Sequence, residues 1–160
     1  MPIRYGDGTT SSTGRIIRIM QQTHTSEGTS SGISNWTNAP FPTLVVVPES
    51  SSSKFLLMCS FGYGIHGATS CAFRWRRNST TIGAGSDATF VVGGSGNDSW
   101  RETVSHLYLD SPGTTSTITY RLQFRPYDSG RTLYWNNTRS GNGVDDYNAR
   151  GTFQLIEFAS

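Results

Sequence analysis

Between Thr117 and Arg125 apolar and polar residues alternate without a break: Ile118, Tyr120, Leu122 and Phe124 are interleaved with Thr117, Thr119, Arg121, Gln123 and Arg125. A period of two places one set on each face of an extended chain, so the segment predicts a strand with one face in a core and the other wet. Ser70–Arg76 repeats the pattern, with Cys71, Phe73 and Trp75 on one side and Ala72, Arg74 and Arg76 on the other. Lys54–Phe61 is apolar on both faces, Phe55, Leu57, Cys59 and Phe61 against Leu56 and Met58. That suits a central strand, or one whose second face is covered by another subunit. Leu44–Val47, closed by Pro48, reads likewise, and further strands are predicted at Arg15–Gln22, Thr80–Gly83, Ala88–Val92, Glu102–Leu109, Arg131–Trp135 and Thr152–Phe158.

Helical periodicity is nearly absent, because Gly, Ser, Thr, Asn or Pro interrupts almost every window long enough for three turns. Asp110-Ser111-Pro112-Gly113 and Pro126-Tyr127-Asp128-Ser129-Gly130 carry turn chemistry and are expected to close hairpins. Many short strands with turn signals and no crossover helices predict an all-β fold, an antiparallel β-sandwich of jelly-roll type. Met1–Gly14, rich in Gly, Ser and Thr, is a poor core former. It is expected to be a flexible N-terminal arm or linker that orders only against a partner, leaving 15–160 as a single β-sandwich domain.

Composition sharpens this picture in one respect. Ser, Thr and Gly supply 60 of the 160 residues, and Leu, Ile, Val and Phe together only a fifth, which borders on the composition of disordered chains. The net charge of +2 and 19 aromatic residues argue for a folded domain instead. At this length one unit can bury roughly 70% of the surface of its unfolded chain. The longest apolar run, Phe55–Cys59, is far shorter than the ~20 residues that span a bilayer, and Met1–Thr13 has no apolar segment like a secretory signal, so no membrane insertion is expected. Cys59 and Cys71 are too few for a disulfide scaffold and not spaced for zinc; they read as a buried thiol pair, with a bridge left open. Twelve of the 13 basic residues are Arg, scattered along the chain, which suits rigid interfaces as well as phosphate.

Candidate chemistry is sparse. Gly93-Gly94-Ser95-Gly96-Asn97 lacks the final glycine of a nucleophile elbow and the helix that would follow it, and no glycine-rich stretch leads into the Lys and Ser or Thr of a phosphate loop. His24, His66 and His106 lie far apart with no metal-binding spacing, so no metal and no cofactor is expected. Asp145-Asp146 could be imagined as a carboxylate pair for glycoside hydrolysis, but adjacent residues on a loop more simply fix turns or solvate it. The loop Asn136–Gly151 carries a sharper possibility. Trp135 and Tyr147 can offer aromatic faces to a sugar ring, and Asn137, Asn142, Asp145 and Asp146 planar polar groups to its hydroxyls, against the alternative of a loop folded for shape alone. Arg74, Arg76 and Arg77 with Arg121 and Arg125 would form a basic strip if their strands are neighbours; Phe73 and Trp75 alternate onto the opposite side, so no nucleic-acid partner is expected. Leu56 and Met58 are the candidate oligomer interface, because a chain this rich in small polar residues has little with which to cover them.

Ser51-Ser52-Ser53-Lys54-Phe55-Leu56-Leu57-Met58, then Leu109-Asp110-Ser111-Pro112-Gly113-Thr114 running into Ile118-Thr119-Tyr120-Arg121-Leu122-Gln123, and the ending Arg150-Gly151-Thr152-Phe153-Gln154-Leu155-Ile156-Glu157 carry a resemblance. From about Arg15 to Ser160 the chain resembles small β-rich virion structural proteins of the tail-fibre type, from marine and cyanobacterial phages. The resemblance implies a non-enzymatic structural protein on the surface of a phage virion, tail-fibre- or spike-like and receptor-facing. It also implies no catalytic residue and, since such proteins are commonly trimers, a homotrimer in contact with other virion proteins; synthesis in the host cytoplasm is the expectation from the missing apolar span and signal segment. A head-decoration or cement subunit and a lectin-like module binding host surface glycan stand as alternatives.

Overall fold

The predicted alternation becomes burial. In the computed structural model, which describes residues 3–4, 10–11, 15–66, 70–83, 88–93, 100–128, 132–136 and 150–159, Ile118, Tyr120, Leu122 and Phe124 are buried while Thr119, Arg121, Gln123 and Arg125 between them are half-buried. Among the described residues there are fourteen strands and no helix. They are β1 (Ile3–Arg4), β2 (Thr10–Ser11), β3 (Ile16–His24), β4 (Gly28–Ser30), β5 (Thr37–Asn38), β6 (Leu44–Val46), β7 (Lys54–His66), β8 (Ser70–Arg77), β9 (Thr80–Ile82), β10 (Phe90–Gly93), β11 (Trp100–Asp110), β12 (Ile118–Pro126), β13 (Thr132–Trp135) and β14 (Gly151–Phe158). The strands predicted from period two are all present. Those that were not predicted, β1, β2, β4 and β5, are only two or three residues long.

Two antiparallel sheets face each other. In the first, β7 pairs with β11 along one edge and with β14 and then β13 along the other; β3 lies beyond β14, and β4 beyond β13. In the second, β8 pairs with β12 on one side and with β9 and β10 on the other, while β5 and β6 flank β12. With β5 and β6 taken as one interrupted strand, and β9 and β10 as another, eight strand positions follow in chain order: β3, β5/β6, β7, β8, β9/β10, β11, β12 and β14. The first sheet then runs 1-8-3-6 and the second 2-7-4-5, the interleaved double Greek key of a jelly roll. The expected sandwich is therefore observed, including its connectivity.

Side chains from both inner faces fill the space between the sheets. Phe61 of β7 meets Phe73 of β8 with ring centroids 5.5 Å apart, Phe124 of β12 meets Trp135 of β13 edge-on at 4.7 Å, and Phe55 meets Tyr120 at 5.9 Å. Phe41, on the connection between β5 and β6, packs against His24, Phe61, Trp135 and Phe153. Aromatic contacts of this kind add to the burial term, which is how a chain more than a third of whose residues are Ser, Thr or Gly still builds a core.

The two turn segments behave differently from expectation. Both Asp110–Gly113 and Pro126–Gly130 were expected to close hairpins, yet β11 and β12 lie in opposite sheets, and so do β12 and β13. Gly113 does take a positive φ of 68°, yet the chain runs on without a turn through 111–114 and bends at 115–116; a bend also stands at Tyr127 and Asp128, with Ser129 and Gly130 outside the described residues. Which strand is paired depends on the faces that must be buried. A two-residue hairpin forms instead at Asn78–Ser79, with Arg77 opposite Thr80 and Asn78 at φ 52°. The expected arm over 1–14 falls largely outside the described residues; its two described pieces, β1 and β2, pair with each other.

Candidate functional site

The sugar-facing loop loses its leading aromatic. Trp135 was expected to present a face to a glycan, but it is fully buried, ringed by Phe41, Phe61, Tyr63, Phe73 and Phe124, and donates its indole N–H to Ser30 Oγ at 2.9 Å. The reason was legible: Leu133 and Trp135 are two apart on β13 and therefore share the inner face. Asn136 is drawn in behind it. Its backbone N–H donates to Gly62 O at 2.9 Å, and its Nδ2 donates to His24 O at 3.0 Å and lies 2.9 Å from His24 Nδ1. Asn137, Asn142, Asp145, Asp146 and Tyr147 lie outside the described residues.

Leu56 and Met58 stand where expected, on the outer face of the first sheet, and the register shows what surrounds them. Leu109, Leu56, Ile156 and Ile19 lie side by side on β11, β7, β14 and β3, forming one apolar row across four strands. A second row holds Leu107, Met58, Gln154 and Gln21; a third holds Ser105, Ser60, Thr152 and Thr23. Leu56 and Met58 are half-buried by these neighbours, whereas Ile19, Leu107 and Leu109 remain 63%, 61% and 55% exposed. Where the large row gives way to the hydroxyl row there is a shallow depression of about 280 Å³, lined by Met58, Ser60, Ser105, Leu107, Thr152 and Gln154. Its polar groups partly satisfy one another: Ser105 Oγ donates to Ser60 Oγ at 3.0 Å, and Gln154 Nε2 to Gln21 Oε1.

The outer face of the second sheet has the opposite character. β8 and β12 are neighbours, so the anticipated basic strip does form, from Arg74, Arg76, Arg121 and Arg125, with Arg121 directly opposite Arg76. Arg74 donates from Nε to Gln123 Oε1 at 2.9 Å, and Gln123 donates in turn to Asn38 Oδ1 at 2.9 Å. The Arg74 and Arg125 guanidiniums stand over the Trp36 ring, 4.2 and 5.1 Å from its centre. Arg76 donates to Thr81 Oγ1 at 2.9 Å and to Ser79 O. Arg77 departs from the expected strip: at the end of β8 it turns to Asp110, donating at 2.9 and 3.0 Å to the two carboxylate oxygens. Trp36 carried no periodic signal in the sequence; it reaches the strip because β5 pairs with β12.

Several of the remaining polar groups of the interior hold the sheets together. Asp110 also accepts from Tyr120 Oη at 2.7 Å, tying the first sheet to the second, and burial together with that carboxylate raises the Tyr120 phenol well above its usual range. Glu157, fully buried, accepts the Glu49 N–H and stands 3.4 Å from Arg18 Nε, an ion pair rather than a hydrogen bond. Cys59 and Cys71 are buried and unbridged, as the thiol reading had it, and burial pushes each up to about 12. Such thiols are un-ionised at neutral pH and poor nucleophiles. His106 stacks on Phe90 at 4.3 Å, its Nδ1 lies 3.4 Å from the Trp75 indole nitrogen, and burial lowers its pKa. Among the described residues no three His, Cys, Asp or Glu side chains converge as metal ligands would.

No family matches this chain, and no curated protein does. Among solved structures, that of infectious bursal disease virus Gx strain aligns with 98% of this chain at 8% identity and a TM-score of 0.34. The chain spans 45% of the length of that one. A likeness this distant assigns no function.

Proposed function

We propose that the chain is a non-enzymatic structural protein on the surface of a phage virion, tail-fibre- or spike-like, which self-associates through the outer face of its first sheet. The observation that carries the reading is the apolar row Leu109–Leu56–Ile156–Ile19 with Leu107 and Met58 beside it. In a two-layer sandwich that face meets water, and rows of large aliphatic side chains left there mark interaction surfaces. The four strands run side by side over the 7 residues in which β14 pairs with β7, about 23 Å at ~3.3 Å per residue, and four strands ~4.8 Å apart span about 19 Å. Their product, about 440 Å², is roughly half of the ~800 Å² each partner gives to a stable interface, so the face is the centre of an interface that draws on neighbouring surface as well.

Two further considerations support the virion role: the resemblance of the chain to phage virion proteins, and, as analogy only, the use of the jelly roll in viral capsid and lectin domains. Trimeric order, contact with other virion proteins and a receptor-facing position rest on the resemblance alone. Imaging an intact particle with the chain labelled tests the location, and its absence from purified particles would overturn it. Light scattering tests the face. Leu109→Asp combined with Leu56→Asp should convert an oligomer to a folded monomer, while an unchanged oligomer would show that association uses another surface.

A further inference from the structure

The basic face of the second sheet lies on the opposite side of the sandwich from the apolar row, and self-association through the latter leaves it uncovered. On β8 and β12 the inner faces are Cys71, Phe73, Trp75 and Ile118, Tyr120, Leu122, Phe124, so Arg74, Arg76, Arg121 and Arg125 all project outward. Arg76 and Arg121 occupy directly opposed positions in the register. Cross-strand pairs of like charge at that separation oppose folding, and a carboxylate at either position would favour it. Among the described residues no carboxylate pairs with Arg76, Arg121 or Arg125. Arg121 Nε is buried without an acceptor among those residues.

We infer that this face is a docking surface for an acidic protein partner, one presenting carboxylates among apolar side chains on an extended surface. Charge complementarity asks for an anion, and guanidinium groups match carboxylates in bidentate geometry. Three observations select protein over other polyanions. The rim of the face is aliphatic: Val45 opposite Thr119 and Val91 opposite Ala72 are 50% and 61% exposed, which gains nothing from a phosphate or sulfate chain. The face combines arginine with tryptophan and has no lysine, since the single Lys54 belongs to the other sheet; arginine and tryptophan are enriched, and lysine depleted, where proteins meet. The tryptophan of the face is already occupied: Trp36 is half-buried under two guanidiniums, and Tyr127, 80% exposed just beyond β12, is a single ring, whereas single-stranded nucleic acid stacks successive bases on several open rings. The strip is about 20 Å by 19 Å, roughly half of what one partner contributes to a stable interface. A single copy therefore binds weakly, and an oligomer gains by multivalency.

The test uses the full chain at ~0.15 M salt, where exposed charges act over about 8 Å. The probe is a fluorescent peptide alternating glutamate with leucine, compared with poly-L-glutamate and duplex DNA of equal charge. The alternating peptide should bind best. Arg76→Gln with Arg121→Gln should weaken it at least ~10-fold with no fall in thermal midpoint, since a like-charge pair is being removed. Arg125→Gln provides a second variant, and Val45→Ser with Val91→Ser should weaken the peptide about threefold while leaving DNA binding alone. Peptide binding that is absent, or indifferent to the arginine variants, would overturn the inference. Displacement of the peptide by DNA at equal charge would overturn it too, in favour of a phosphate surface.

Discussion

Replacing Trp135 separates a core residue from a receptor contact more cleanly than any other single change. A loop tryptophan that merely faced a ligand could be truncated at little cost to folding. Trp135 instead is fully buried among Phe41, Phe61, Tyr63, Phe73 and Phe124 and fixed by its hydrogen bond to Ser30. An aromatic of this size buries about 150–250 Å², and at about 25 cal/mol per Å² that is about 4–6 kcal/mol as an upper bound. Measured truncations of buried Phe or Trp to Ala cost about 3–5 kcal/mol. Taking about 4 kcal/mol, and about 2–4 °C of midpoint per kcal/mol at this chain length, Trp135→Ala should melt about 8–16 °C below the parent. Trp135→Phe keeps a ring and removes only the N–H and part of the volume, so it should fall by a small part of that. Thermal unfolding followed by circular dichroism, with the denaturant midpoint as a second measure, is the assay. A shift of under about 3 °C for Trp135→Ala would refute the buried placement and return the residue to the loop surface.

Other outcomes follow from the buried polar groups. Burial lowers both His24 and His106, so below the unfolded value near 6.5 the unfolded chain takes up protons that the native chain resists; stability should be full above about pH 7 and fall as the pH drops through 6.5. His106→Gln should flatten part of that slope, and a stability profile level from pH 7.5 to 5 would contradict the placement. The two thiols, each near 12, should resist a disulfide reagent at pH 8 in the native protein and titrate as two per chain once unfolded; rapid native labelling would show them accessible. Asp110→Ala strands the Tyr120 hydroxyl and the Arg77 guanidinium, and should cost about 3 kcal/mol in chemical denaturation; a cost under about 1 kcal/mol would mean the clamp between the sheets contributes little.

Legibility in this sequence follows the range of the interaction that does the work. Period-two alternation is local, and it correctly placed Phe73 and Trp75, or Leu122 and Phe124, on an inner face because neighbouring side chains on a strand must point apart. It extended to Trp135, whose inward position is implied by Leu133 two residues before, although polar residues of the kind found in surface loops follow it. β4 and β5 left no such mark: Gly28–Ser30 and Thr37–Asn38 are strands because β13 and β12 offer them hydrogen-bonding edges, and nothing in their own side chains requires it. Turn residues at Asp110–Gly113 and Pro126–Gly130 mark where a strand ends, but the choice between a hairpin and a crossing to the other sheet belongs to the whole sandwich, which must bury one face of every strand.

The same division runs through the surfaces. That Arg121 and Arg76 point away from the core, and that Leu56 and Met58 lie on the face opposite Phe55 and Leu57, follows from the residues alone. That Arg121 stands beside Arg76, that Trp36 reaches two of the arginines, and that Leu56 lies in line with Leu109, Ile156 and Ile19 is decided only when strands distant in sequence become neighbours. Alternation along one strand determines which side a residue takes. Hydrogen bonding between strands determines its company, and a binding surface is made of company.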